Sequence, residues 1–345
     1  MKAGVLMGVN EVKYTTIADP KLEAGDMLLK VKAATVCGTD IRILRGRKTS
    51  GIRYPSVLGH EFAGVVVNSG GTSQFAVGQA VCVCPQFACG RCEYCVRGAE
   101  NLCSNMMAMG YELDGAFAEY VRIPASGVKS GNVFPVPKGL SFEEAALAEP
   151  LACVMNGQER VGLKMGDTVA ILGAGPIGIL HIKLARLSGA RMIIVSELNP
   201  LRREAALQAG ADLALDPKAE DLLARVKAAT GGLGVDVAIV AIGVPSLAND
   251  AIRLVCHRGR VSLFAGFSKG EQAELDVNAI HYNELIITGS FGLTRLLFER
   301  ALRMIASGQL ELKSLLTHRF DLSEIKLALE TAEQGSAIRV AVISD

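Results

Sequence analysis

The sequence lacks any run of about 18 consecutive apolar residues, the length that a membrane-spanning helix requires. Its longest apolar run, 169–180, is interrupted by three glycines and a proline. The N-terminus, MKAGVLMGVNEVKYTT, has no apolar core of the signal-peptide type. We therefore expect a cytoplasmic protein with no membrane partner.

An excess of charge of one sign is also lacking, because 36 Lys and Arg residues face 35 Asp and Glu residues, for a net charge of +1. A nucleic-acid-binding protein needs a basic face that neutralises phosphates, so this balance argues against a nucleic-acid partner. Trp is absent and aromatic residues are scarce, yet half of the residues are hydrophobic. That apolar content excludes an intrinsically disordered chain.

The length of 345 residues suggests two domains, each with a core of its own. The chain has nine cysteines. In a protein that is not secreted, cysteines indicate metal or redox chemistry rather than disulfides.

The first half of the sequence is typical of antiparallel β-structure. Strands are predicted at 28–36, 61–67 and 77–84, separated by turn-rich segments, and irregular loops are predicted over 85–115. Most of the cysteines lie in this half. The pattern predicts a barrel-like domain.

The second half alternates short apolar runs with amphipathic helical patterns, which indicates βαβ units and a parallel sheet covered on both faces. Six strands match a complete doubly wound dinucleotide-binding fold. They are predicted at 167–172, 191–196, 213–215, 235–240, 260–265 and 284–289, with helices at 177–188, 200–209, 219–229 and 246–256. Helices at 295–307 and 323–334 and a strand at 338–343 are predicted beyond them.

A glycine-rich turn, Gly173-Ala174-Gly175-Pro176-Ile177-Gly178, follows the first of these strands and opens a helix. Gly173 permits the tight turn, Gly175 lets a pyrophosphate approach the backbone, and Gly178 lets helix and strand pack closely. Glu197 ends the next strand, where an acidic residue accepts from the ribose 2′-hydroxyl. This carboxylate favours NAD over NADP, although Arg202 and Arg203 lie close by. The alternative is a glycine-rich connection that binds nothing.

Four cysteines form a C-x2-C-x2-C-x7-C pattern, and they are Cys89, Cys92, Cys95 and Cys103. Four thiolates on one short loop can close a tetrahedron around a structural zinc ion. An iron–sulfur cluster of the ferredoxin type would need a last gap of three residues followed by Pro, and here the gap is seven and Ser104 follows. Disulfides are disfavoured by the odd cysteine count.

Cys37 follows a predicted strand, the pair His60-Glu61 precedes another, and Glu149 lies at the predicted domain junction. One thiolate, one imidazole and one or two carboxylates make a zinc site with a position left open for water or substrate. Spacing alone leaves equally open that these are ordinary core and surface residues.

In combination these residues resemble the zinc-dependent medium-chain dehydrogenases over essentially the whole chain, and the polyol dehydrogenases of the sorbitol (L-iditol) and galactitol-1-phosphate type most of all. The segments that carry the resemblance are CGTD (37–40), GHE (59–61), the four-Cys loop, DGAFAEY (114–120), EPLA (149–152) and GAGPIG (173–178). The resemblance implies an α/β protein in which a GroES-like β-barrel catalytic domain, 1–150 with 291–345, is joined to a Rossmann NAD domain, 151–290.

The resemblance also implies roles for individual residues. Cys37 and His60 match catalytic zinc ligands, Glu61 and Glu149 are carboxylates at that zinc, and Thr39 matches a hydroxyl that contacts the alcohol oxygen and begins a proton relay. The implied cofactor contacts are Gly173, Gly175, Pro176, Ile177 and Gly178 in the turn, Glu197 and Arg202 at the ribose, and Ala265, Gly266, Phe267, Ser290 and Phe291 near the nicotinamide. A homo-oligomer, either a tetramer or a dimer, is implied, with 280–292 as the contact.

The resemblance implies an enzyme that interconverts a secondary alcohol of a polyol and the corresponding ketose by hydride transfer. Alternatives are an L-threonine 3-dehydrogenase or another small-alcohol dehydrogenase, and a non-catalytic NAD-binding relative. A zinc-free reductase would not need Cys37, His60 and Glu149. Five basic residues and no acidic ones occur in 42–53, either to attract an anionic or phosphorylated polyol or as a solvated loop or subunit contact.

Overall fold

The computed structural model of the chain describes residues 1–268 and 270–344, so Lys269 and Asp345 lie outside the described residues. It divides the chain into two compact units, Met1–Ala152 with Leu293–Asp345, and Cys153–Gly292. The limits expected from the sequence, at 150 and 290, lie two residues earlier. No helix in the described residues is long and apolar enough to cross a membrane.

The first unit is built mainly from antiparallel strands, whose side chains alternate between a buried and a partly exposed face. Its strands before the second unit are β1 (Lys2–Gly8), β2 (Glu11–Thr16), β3 (Met27–Thr35), β4 (Ser56–Val57), β5 (Glu61–Asn68), β6 (Ala80–Val83), β7 (Gln86–Phe87), β8 (Met107–Ala108), β9 (Tyr120–Ile123) and β10 (Val133–Pro135). The helices are α1 (Gly38–Leu44), α2 (Glu93–Val96), α3 (Ala125–Lys129) and α4 (Phe142–Ala146), and α5 (Ala148–Val161) begins in this unit and continues past its limit at Ala152. The predicted irregular stretch 85–115 therefore contains two short strands and a short helix.

The chain returns to the first unit after residue 292. It adds α11 (Arg295–Ala306), β17 (Leu316–Asp321), α12 (Ile325–Gln334) and β18 (Arg339–Ile343). The last strand pairs with both β17 and β3, in a sheet of order β10-β6-β5-β3-β18-β17 to which β9 is joined through β3. Because β3 lies between β5 and β18, residues from distant parts of the sequence meet at one end of this sheet.

The second unit contains a six-stranded parallel sheet with helices between the strands. Its elements are β11 (Thr168–Leu172), α6 (Pro176–Leu187), β12 (Met192–Ser196), α7 (Pro200–Gln208), β13 (Leu213–Leu215), α8 (Leu222–Ala229), β14 (Val235–Val240), α9 (Leu247–Leu254), β15 (Val255–Leu263), α10 (Val277–Tyr282) and β16 (Ile286–Gly289). The strand order β13-β12-β11-β14-β15-β16 reverses beside β11. This is the doubly wound order that the sequence predicted, with its switch point at the end of β11.

The largest difference from the predicted elements lies between α9 and β15. The predicted helix 246–256 ends at Leu254, and the strand that follows begins at Val255 rather than at 260. The pairing of β15 with β14 shifts register between Val235 and Val237, and Arg258 has a φ of 60°. The register shift and the left-handed residue interrupt the alternation of side chains in the first half of this strand. The sequence there lacks the period-two pattern by which a strand is predicted.

Candidate active site

Cys37, His60 and Glu61 lie together at one end of the first unit's large sheet. Cys37 follows β3 and caps the N-terminus of α1, and Glu61 is the first residue of β5, next to β3. One ligand atom from each of the three residues lies within 4.8 Å of the others. The antiparallel pairing of β3 with β5 thus brings a thiol, an imidazole and a carboxylate to one point.

Glu61 is completely buried, and its two carboxylate oxygens have different surroundings. Oε2 accepts hydrogen bonds from the Arg339 guanidinium on β18 and from the Thr35 hydroxyl on β3. Oε1 is buried and has no hydrogen-bond partner. A buried carboxylate oxygen without a partner is costly, so this atom is suited to a cation.

His60 is buried between Asp40 and Tyr111. Its Nδ1 lies 3.5 Å from Oδ1 of Asp40, and its ring centroid lies 5.5 Å from that of Tyr111. Asp40 is held in turn, because its Oδ2 accepts a hydrogen bond of 2.8 Å from the Cys37 amide. A carboxylate beside a histidine nitrogen is the usual support of a metal-bound imidazole.

The protonation of this group of residues favours a metal ion. Burial raises the pKa of the Cys37 thiol, and the Glu61 carboxylate raises it further. Burial disfavours a charge on His60, yet Tyr111 and Asp40 raise the pKa of His60 well above its usual value. Cys37 and His60 would bind a metal as thiolate and neutral imidazole, so a divalent cation here would displace the protons that these two groups otherwise retain. The residues fit zinc.

Two other residues expected at this site lie near it but outside the three-residue group. Glu149 is buried in the first turn of α5, and its charge acts on the Tyr111 hydroxyl. Thr39 lies in the first turn of α1, and its amide faces Sγ of Cys37 at 3.4 Å. Among the described residues, the group of ligand atoms that lie within 4.8 Å of one another therefore contains a carboxylate oxygen of Glu61 but none of Glu149.

The four cysteines of the C-x2-C-x2-C-x7-C pattern form a second group, in which every sulfur lies within 4.8 Å of the others. Sγ of Cys92 lies 3.5 Å from that of Cys95 and 3.9 Å from that of Cys103, and all nine cysteines are free thiols. Hydrogen bonds from the Cys95 and Ser104 amides lower the pKa of Cys92 to about 6. Amides that stabilise thiolates in a closed set of four sulfurs fit a structural zinc ion.

The glycine-rich turn joins β11 to α6 at the switch point of the parallel sheet. Gly173 has a φ of 99°, and Gly175 caps α6 with Pro176 in its first turn. A side chain on Gly178 would lie 2.0 Å from the Gly173 carbonyl oxygen, whereas a Cβ on Gly175 would meet only Nη1 of Arg202, at 4.0 Å. The turn therefore has an open backbone edge at Gly175, where a pyrophosphate could approach the helix N-terminus.

Glu197 follows β12 and lies against this turn. Its Oε2 accepts a hydrogen bond of 2.7 Å from the Ala174 amide, and its Oε1 accepts one of 2.9 Å from Asn199. Arg203 instead donates to the Glu197 and Leu198 carbonyls and pairs with Asp216. The carboxylate is thus fixed beside the turn. The remaining cofactor candidates follow the ends of neighbouring parallel strands, with 265–267 after β15 and Ser290 and Phe291 after β16.

Sequence reasoning missed Arg339 and assigned no role to Asp40. Asp40 stands in the CGTD segment, three residues after Cys37, and that spacing is the signal of the capping box that it forms with Cys37. Arg339 carries no local signal, because an arginine in a short apolar strand is usually a surface residue.

Models of two protein families match the chain. The model described as "Alcohol dehydrogenase GroES-like domain" matches residues 23–138, and the one described as "Zinc-binding dehydrogenase" matches residues 176–307. Together the two matches cover most of the sequence, the first within the first unit and the second over most of the second unit and into 293–307.

Relatives of known sequence and structure agree with these matches. The chain is 34% identical to a sorbitol dehydrogenase of Bacillus subtilis over 97% of this chain and 94% of that protein. It is 38% identical to an L-threonine 3-dehydrogenase of Pyrococcus horikoshii over 87% of this chain and 86% of that one. A zinc-binding dehydrogenase of Sinorhizobium meliloti, solved bound to NADP, has a TM-score of 0.92 at 34% identity and covers 99% of this chain and 98% of its own. The chain therefore belongs to the zinc-dependent medium-chain dehydrogenases, and it is an alcohol dehydrogenase that uses zinc and a nicotinamide cofactor.

Proposed function

We propose that the protein oxidises a secondary hydroxyl of a polyol to a ketone, reversibly and with NAD. The observation that carries this proposal is the group of Cys37, His60 and Glu61, in which Oε1 of Glu61 is buried and has no hydrogen-bond partner. A three-ligand zinc site leaves a position for the substrate oxygen. The similarity to a sorbitol dehydrogenase supports the polyol as substrate class.

The residues of this site would have different roles in the reaction. Bound zinc supplies a Lewis acid that lowers the pKa of an alcohol, and NAD accepts the hydride. Cys37, His60 and Glu61 would hold the metal, with Glu61 rather than Glu149 as the carboxylate ligand. The Thr39 hydroxyl would accept the proton of the substrate hydroxyl and pass it towards solvent.

The cofactor preference is proposed from Glu197. Its fixed carboxylate stands where the adenosine ribose of a dinucleotide lies in this fold, and it would repel a 2′-phosphate. We therefore favour NAD, although the Sinorhizobium relative was solved with NADP. The Arg202 side chain, close to Gly175, would contact the same ribose.

The two units would have separate tasks. We assign the catalytic zinc and the structural four-Cys zinc to the unit of Met1–Ala152 with Leu293–Asp345, and NAD to Cys153–Gly292. We also propose a cytoplasmic homo-oligomer, a dimer or a tetramer, assembled through 280–292. Exposed Tyr282, Ile286 and Phe291 in this segment support such a contact.

The second candidate is L-threonine 3-dehydrogenase activity. A relative of that name is 38% identical to the chain, slightly more than the sorbitol dehydrogenase but over a shorter length. The segment 42–53 lacks the aromatic residues expected of threonine dehydrogenases, which favours the polyol.

An NAD-coupled screen over polyols, their phosphates and L-threonine tests the proposal, together with the zinc content of the protein. We expect NAD reduction with a polyol and one zinc for each of the two ligand groups. Cys37→Ser should abolish turnover, lose one of the two zinc ions and retain NAD binding.

Cys256→Ser is the matched control, because Cys256 lies in the second unit and outside both ligand groups. It should keep both zinc ions and full turnover. Full turnover by Cys37→Ser, or no NAD reduction with any alcohol, would contradict the proposed function.

A further inference from the structure

The basic segment 42–53 follows Cys37 closely in the sequence. Helix α1 begins beside Cys37 and ends at Leu44, and the chain then turns back, because the amides of Arg47 and Lys48 donate to the Arg42 carbonyl at 2.8 and 3.2 Å. The turn brings Lys48 towards the residues that surround His60. The basic residues of segment 42–53 therefore differ from one another in the residues that surround them.

Two of these cations are neutralised by acidic side chains of the same unit. Arg45 pairs with Glu333 and also donates to Asn10. Arg53 pairs with Asp114 at 3.0 Å. These two arginines therefore serve as structural contacts within the first unit.

Lys48 differs from them. Its side chain is half-buried, and its Nζ lies 5.0 Å from the centroid of the Tyr111 ring. The Tyr111 ring is itself the aromatic neighbour of His60, at 5.5 Å. The ammonium of Lys48 and the imidazole of His60 are therefore neighbours of the same aromatic ring.

The ammonium of Lys48 has no direct ion-pair partner among the described residues. No carboxylate of residues 1–268 and 270–344 forms a hydrogen bond or an ion pair with it. Burial and the positive charge of Arg42 lower the pKa of Lys48, and only the charge of Glu112 opposes them. Glu112 is itself held by the Ala108 amide at 3.0 Å. A partly desolvated ammonium gains from an aromatic face, but it gains more from an anionic ligand.

We infer that Lys48 is a specificity-determining residue that binds an anionic group, a phosphate or a carboxylate, carried by the alcohol substrate away from its reacting carbon. Tyr111 neighbours both this cation and His60, and it would support the carbon chain between the two ends of the substrate. This inference rests on the proposed dehydrogenase function and narrows its substrate class to charged polyols and hydroxy acids.

The test compares charged and neutral members of matched pairs in the NAD-coupled assay of the zinc-loaded protein. The pairs are sorbitol 6-phosphate with sorbitol, L-idonate with L-iditol, and 3-hydroxybutyrate with 3-hydroxybutyramide. The first pair tests a phosphate and the other two test a carboxylate. We expect a higher kcat/KM for the charged member of at least one pair.

Lys48→Gln should reduce that preference about tenfold, mainly through KM, because one charge-assisted contact is lost. Lys48→Arg should retain most of it. Arg47→Gln is the matched control, since Arg47 is exposed in the same loop, and it should leave the preference unchanged.

The outcomes distinguish a failure of the proposed role of Lys48 from a failure of the proposed dehydrogenase function. Equal or better use of the neutral member in every pair, or a preference that Lys48→Gln does not change, would overturn the role of Lys48 and leave the dehydrogenase function in place. A parallel loss in Arg47→Gln would assign the effect to general charge of the loop. No NAD reduction with any of the six compounds or with any other alcohol of the screen would refute the proposed function itself.

Discussion

Arg339 and Glu61 form an ion pair that is almost fully withdrawn from water, with 3% and 0% of their side chains exposed. Removing two charges from water is costly, and only their mutual attraction and further hydrogen bonds offset that cost. Thr35 supplies one of these bonds. The pair therefore fixes the carboxylate with one oxygen engaged and the other available for a metal.

We expect Arg339→Gln to lower the free energy of unfolding by about 3–5 kcal/mol, because it leaves the Glu61 charge buried and unpaired. It should also reduce the zinc content of the purified protein. Urea denaturation followed by circular dichroism, with metal analysis, measures both effects.

Arg319→Gln is the control for this substitution. Arg319 pairs with Glu143 on a more exposed surface, so its loss should cost no more than about 1 kcal/mol. Equal destabilisation by the two variants would show that burial of the Arg339 pair is unimportant.

His181 is a buried histidine in α6 with no role in the proposed chemistry. Its Nδ1 lies 3.3 Å from Nε2 of Gln158, and its ring meets Phe264 edge to face at 4.6 Å. Burial lowers the pKa of His181 from 6.5 to about 3. The folded protein therefore holds this ring neutral, whereas the unfolded chain binds a proton as soon as the pH falls below about 6.5.

Because the unfolded state binds more protons, the stability contributed by the neutral ring is present above pH 6.5 and declines as the pH falls towards 3. Between pH 7 and pH 5 we expect the wild type to lose about 2 kcal/mol more than His181→Gln does. Denaturation at the two pH values measures the difference. His318→Gln, at a partly exposed site of the first unit, should show the wild-type loss, and a His181→Gln protein with that same loss would contradict the assignment.

Gly178 and Gly175, in the turn between β11 and α6, differ in how much room they leave for a side chain. Gly178 has no room for a Cβ, because the Gly173 carbonyl oxygen would lie 2.0 Å away. Gly175 has room, and its φ of −66° suits any residue. Packing of the element thus depends on Gly178, while Gly175 leaves the backbone open to a ligand.

We expect Gly178→Ala to lower the melting temperature and the yield of folded protein. Gly175→Ala should keep the melting temperature but weaken NAD binding roughly tenfold, because its methyl group occupies the path of the pyrophosphate. Calorimetric titration with NAD and thermal unfolding separate the two effects. Unimpaired NAD binding in Gly175→Ala would place the cofactor elsewhere.

The parallel strands could be predicted closely because strands covered on both faces are continuous apolar runs, bounded by glycine and polar residues. Strands β11, β12 and β14 begin within one residue of their predicted positions. Helix α1 was not foreseen, because it begins with Gly38 and Thr39, two residues of low helix propensity, and depends on the cap at Cys37.

The candidate site could be predicted where its residues are marked by chemistry and order along the chain. Cys37, His60 and Glu61 were foreseen in this way, as were the four cysteines. Arg339 could not be, because its partner lies 278 residues earlier and only the pairing of β18 with β3 brings them together. When the pairing of two strands brings residues from distant segments into contact, neither segment carries a sequence pattern that predicts the contact.

The edge of the parallel sheet bears on how copies of the protein assemble. Strand β16 ends the sheet, and Ile286 on it is 55% exposed. An exposed edge with apolar side chains pairs readily with another edge of the same kind. The proposed contact through 280–292 would join two such edges across a twofold axis.

We expect Ile286→Asp to dissociate the proposed dimer or tetramer into a smaller species, since it places a charge within the apolar contact. Light scattering coupled to gel filtration measures the mass. Leu233→Asp, at a site 75% exposed in the loop after α8, should leave the mass unchanged. An unchanged mass for Ile286→Asp would exclude this edge as the contact.

The order of the partners along the polypeptide has a consequence for biosynthesis. During translation, Glu61 emerges from the ribosome early, whereas Arg339 emerges only after the whole of Cys153–Gly292 has been synthesised. Until then the nascent sheet lacks β18, and the Glu61 carboxylate has no counterion. The first unit therefore cannot complete its folding, whereas the segment Cys153–Gly292 can fold before it. Translation that stops before Arg339 yields a product in which Glu61 never gains this counterion.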